Sequence, residues 1–81
     1  MNLDQAFLEE LAILSLFNEH TLQEGIKVHE HKASEQDIAA TQRLFDKGLL
    51  TQADGGYLTS LGQDAVEHLY DLSRMLNSST A

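Results

Sequence analysis

The sequence predicts a small, mainly helical domain with one short β-hairpin. Apolar residues recur at helical spacing in three segments, each segment opens on a capping residue, and an Asp-Gly-Gly turn lies between two short β-prone runs. A chain of 81 residues holds one domain, taken as 1–76, and the polar tail Asn77 to Ala81 has nothing to bury and is expected to be disordered.

The first helix is predicted from Asp4, as N-cap, to about Asn18, with Leu3, Phe7, Leu11 and Leu14 on one face. Leu11 to Phe17 is apolar almost all round, which places it centrally or under a partner. Residues Glu19 to Lys32 read as a short helix, although Gly25 interrupts it and Leu22, Ile26 and Val28 fit more than one period. Ser34-Glu35-Gln36-Asp37 resembles a capping box, and Ile38, Thr41, Leu44 and Phe45 mark the buried face of a helix that stops at Gly48. Leu49 to Gln52 and Tyr57 to Thr59 flank the turn Ala53-Asp54-Gly55-Gly56, where glycine accepts the positive φ of a tight hairpin. Thr59 or Ser60 caps a last helix to about Leu76, with Leu61, Ala65, Leu69, Leu72 and Leu76 on one face and Val66 and Tyr70 beside it.

Thirteen acidic residues against five Lys and Arg give a net charge of −8, which opposes general affinity for phosphate backbones. The charge is uneven. Lys27, Lys32, Arg43 and Lys47 balance Glu30, Glu35, Asp37 and Asp46, and outside that window Arg74 is the only Lys or Arg. The chain has no cysteine, so packing must stabilise it, within the domain or with an oligomer interface added, as suits a reducing compartment. No signal sequence or apolar run of spanning length is present, so a cytoplasmic protein with no membrane partner is expected.

The order of a capped helix, a Lys-Gly-Leu turn at Lys47-Gly48-Leu49, a hairpin, and Leu58-Thr59-Ser60-Leu61-Gly62 leading into a helix resembles the winged helix-turn-helix regulators of the MarR and PadR type. The likeness covers roughly Ser34 to Leu69. The whole chain, including Leu16-Phe17, Gly25 to His29 and Tyr57 to Gly62, is similar to a small family of uncharacterised bacterial proteins, a likeness that brings no function with it. The regulator resemblance implies a transcriptional regulator that binds DNA. Its base-reading and phosphate-holding candidates are Ser34, Gln36, Gln42, Arg43, Lys47 and Tyr57. The sequence departs from that pattern in two places. Glu35 and Asp37 stand where a reading helix would approach the groove, and the wing offers Gln52, Asp54 and Tyr57 but no cation. Capping explains Ser34, Glu35 and Asp37, and solvation explains Arg43 and Lys47 four residues on.

His29-Glu30-His31 would place two imidazoles on one side of an extended segment, but no third ligand is evident, and no metal or cofactor is expected. Neither a phosphate loop nor a nucleophile elbow appears, and an enzyme is not expected. Two main readings follow: a DNA-binding regulator that pairs as a homodimer through its first and last helices, and an acidic protein-interaction module on the same scaffold without DNA binding. A histidine-based metal or pH sensor is a third.

Overall fold

In the computed structural model, which describes residues 3–17, 26–27 and 34–77, Asp4, Ser34 and Thr59 each hold the extended backbone of an N-cap. Their side-chain oxygens accept from the backbone N–H groups of Phe7, Asp37 and Gly62 at 2.9, 3.1 and 3.1 Å. Each satisfies one of the donors that a helix start leaves without an intrahelical partner. The caps open α1 (Gln5–Leu14), α2 (Glu35–Asp46) and α3 (Ser60–Leu76). α1 ends four residues short of the predicted Asn18, winding down through bonds from Leu16 N to Ile13 O and from Phe17 N to Leu14 O at 3.0 and 3.2 Å.

Within the stretch read as a short helix, Ile26–Lys27 is instead a strand, β1; the rest of that stretch lies outside the described residues. A β-branched residue directly after Gly25 suits a strand better than a helix interior, and the pairing available along the hairpin decides it. The hairpin is β2 (Leu50–Gln52) and β3 (Gly55–Leu58), and β1 lies antiparallel along the other edge of β3, with Ile26 opposite Gly56 and Lys27 opposite Gly55. The sheet order is therefore β1-β3-β2. Ala53 and Asp54 form the turn, and both following glycines carry the positive φ, at 128° for Gly55 and 66° for Gly56. With this order of elements the domain is mainly helical and winged-helix-like.

The core joins the end of α1 (Ile13, Leu14, Phe17) to Ala40 and Leu44 of α2, Leu50 and Leu58 of the hairpin, and Val66 of α3. Burying a side chain the size of Phe17 or Leu44 contributes roughly 1.5–3 kcal/mol. Two predicted faces are rotated from where periodicity put them. On α2, Ala40, Thr41 and Leu44 face inward while Ile38 and Phe45 are half exposed; on α3, Gly62 and Val66 are buried while Leu61, Leu72 and Leu76 are exposed.

Thr59 explains the Leu-Thr-x-x-Gly pattern. Besides capping α3, it donates from Oγ1 to Gly48 O at 2.5 Å and from its backbone N to Leu49 O at 3.0 Å, which ties the start of α3 to the turn after α2. A Cβ on Gly62 would stand 2.1 Å from Leu49 O, so only glycine allows this approach. At the other end of the core, the Tyr70 hydroxyl lies 2.9 and 2.7 Å from the carbonyls of Ser15 and Phe17 and shares its single proton between them.

Candidate functional site

α1 packs most extensively on α2, and the line between them is ionic as well as apolar. Glu10 is buried, 8% exposed, on the α1 face that meets α2. One of its oxygens takes Arg43 Nε at 2.6 Å and the other takes Lys47 Nζ at 2.5 Å. Arg43 extends further along α1, donating from Nη2 to Ala6 O at 3.3 Å and to Glu9 at 3.4 Å. Helical spacing makes this possible, since Arg43 and Lys47 are one turn apart on α2 and reach the same carboxylate. Burial pushes the Glu10 carboxyl up, and the hydrogen bonds and charges of Lys47 and Arg43 more than reverse this, so its pKa lies below the ordinary carboxylate value. Hydrogen bonding to Glu10 raises the already high pKa of Arg43, although its desolvation works the other way.

Of the six residues singled out from sequence, Ser34, Gln42, Arg43 and Lys47 have side-chain partners within the domain. Ser34 is engaged as the α2 cap, and Gln42 donates from Nε2 to Asp46 at 3.1 Å. Arg43 and Lys47 turn toward α1, while Gln36 stays exposed. Tyr57 projects from the wing, 53% exposed, with its backbone N donating to Thr51 Oγ1 at 2.9 Å. Glu9 and Glu10, to which the sequence assigns no role, hold the cations. His20, His29 and His31 lie outside the described residues, and among the described residues no group of three His, Cys, Asp or Glu side chains is placed to hold a metal.

Next to the ionic line, residues of α1 and α3 line an apolar groove of about 550 Å³. α1 contributes Leu8, Leu11 and Leu14 to its lining, α3 contributes Leu69 and Leu72, and Leu44 and Leu49 come from α2 and the turn after it. Its polar residues are Glu10 and Lys47, already paired, and His68. A volume of that size falls in the range of ligand and peptide sites, and the lining suits apolar groups rather than phosphates.

The match to a family model runs over residues 1–77, which includes both the ionic line and the groove. The chain belongs to DUF5669, a family of unknown function. No curated protein and no solved structure matches it. No helix among the described residues is long and apolar enough to cross a membrane.

Proposed function

We propose that this domain is a protein-interaction module, a winged-helix-like scaffold that docks other proteins through the groove between α1 and α3 rather than reading DNA. The observation that carries this is the commitment of Arg43 and Lys47 to Glu10. A DNA reader needs cations free to meet phosphates. Here binding DNA through α2 would first break two charge-assisted hydrogen bonds to a buried carboxylate, leaving that carboxylate unpaired. The cation-free wing points the same way, since among its residues Gln52, Asp54 and Tyr57 none brings a positive charge to a phosphate. The pairing of copies through the first and last helices that the sequence suggests would use the same groove.

Fluorescence anisotropy with a labelled mixed-sequence duplex at low salt tests the proposal, because low salt exaggerates any phosphate affinity. The wild type is expected to show no saturable binding, and Glu10→Gln, which removes the negative charge that Arg43 and Lys47 share, is expected to gain weak, salt-sensitive binding. Saturable wild-type binding that joint replacement of Arg43 and Lys47 by Ala abolishes would overturn it.

A further inference from the structure

The apolar surface continues beyond the groove. On α3, Leu72, Met75 and Leu76 are 53, 73 and 74% exposed, and on α1 Leu8 is 49% exposed. Helical spacing sets Ala65, Leu72 and Leu76 in line along α3, so groove lining and exposed end form one strip. A strip of this kind rimmed by polar residues marks a docking surface rather than ordinary scatter.

Its rim carries more acid than base, because Lys47 and Arg74, the cations beside it, are each balanced by a carboxylate of this chain. Asp64 and Asp71 precede Ala65 and Leu72 by one position, a rotation of about 100° around the helix, and both are exposed. Asp4 stands at the head of α1, one turn before Leu8, and is also exposed. Arg43, Lys47 and Arg74, the Lys and Arg side chains placed among the described residues, are each already ion-paired, to Glu9 and Glu10 or to Asp71.

On the basis of the interaction reading, we propose that the groove receives an amphipathic helix whose apolar face is flanked by Lys or Arg. A groove lined by leucines of two helices accepts a third helix through anchors at i, i+3, i+4 and i+7, and the excess of acid at its rim favours cations beside those anchors. A second copy of this chain fits less well. It would set one acidic rim against another, each from a chain of net charge −8, and its placed cations are committed within their own domain.

Two designed peptides of about 18 residues, five helical turns, test this when titrated into the full labelled chain and followed by NMR. They share one leucine face and differ only in having Lys or Glu flanks. The Lys-flanked peptide is expected to bind about tenfold more tightly at low salt, to lose that advantage as salt is added, and to shift Leu11, Leu69 and Leu72. Leu72→Lys, a substitution at an exposed position, is expected to abolish those shifts without lowering the melting temperature. Equal affinity for both peptides would overturn the charge rule while leaving the interaction reading intact. If neither peptide binds and sedimentation shows twice the chain mass, a second copy fills the groove and the proposal fails. If neither binds and duplex DNA shifts α2, both readings fail.

Discussion

Glu10 and Gly62 show how much one residue decides in this domain. Glu10 is buried with Arg43 at 2.6 Å and Lys47 at 2.5 Å, so Glu10→Gln leaves two cations sharing a neutral amide. The expected loss is about 1–2 kcal/mol, below the figure for a fully buried pair because both cations keep solvent contact. Thermal melts of the two proteins at neutral pH check it. The pH dependence follows from the lowered pKa of Glu10. A carboxylate with a depressed folded-state pKa stabilises fully above its unfolded value, and that contribution disappears as pH falls through the folded value. Wild-type melting temperature should therefore fall on acidification below the ordinary carboxylate range, and Glu10→Gln should flatten that part of the curve; an unchanged acid limb would remove Glu10 as its cause. For Gly62→Ala, a Cβ at 2.1 Å from Leu49 O forces α3 off the turn, with an expected cost of about 1–3 kcal/mol in a denaturant titration. Gly62 was visible in the sequence as the end of the Leu58-Thr59-Ser60-Leu61-Gly62 pattern, but the carbonyl it accommodates was not. Nor was the role of Glu10, because its partners lie 33 and 37 residues further along the chain and no helical spacing links them.

At the scale of elements, local chemistry was the more readable part. Asp4, Ser34 and Thr59 cap the three helices as their side chains indicate, and Asp54-Gly55-Gly56 makes the hairpin. Strand β1 escaped notice because two residues define no period, and their pairing with Gly55 and Gly56 is non-local. The rotated faces of α2 and α3 have a related cause. Both helices carry more apolar residues than the core can cover, so periodicity marks a wide stripe without saying which part is packed. Tertiary contacts choose Thr41 and Leu44 over Ile38 and Phe45, and Val66 over Leu61 and Leu72. Thr59 joins elements as well as capping one, so Thr59→Ala should cost about 1 kcal/mol for the cap and more for the lost bond to Gly48. Faster hydrogen exchange at the Gly62 amide would report the first loss directly. By contrast Met75→Lys, at a position 73% exposed, should change stability by less than about 0.5 kcal/mol.

For the molecule as a whole, the net charge of −8 and the cation-free wing were plain in the sequence, as was an excess of apolar residues on the first helix. The ion pairs add a use for the cations, and the structure adds an apolar groove lined by α1 and α3, where the proposed partner would dock. Order of elements alone resembles a DNA-binding regulator, but order fixes a scaffold and not the chemistry of its surface. The most direct test is a pair of NMR titrations on one labelled sample at low salt, first with a mixed-sequence duplex and then with the Lys-flanked amphipathic peptide. The predicted result is no shift over Ser34 to Lys47 with the duplex, and shifts at Leu11, Leu69 and Leu72 with the peptide. Duplex-induced shifts confined to α2 and the Asp54 to Tyr57 wing tip, reversed by salt, would contradict the account.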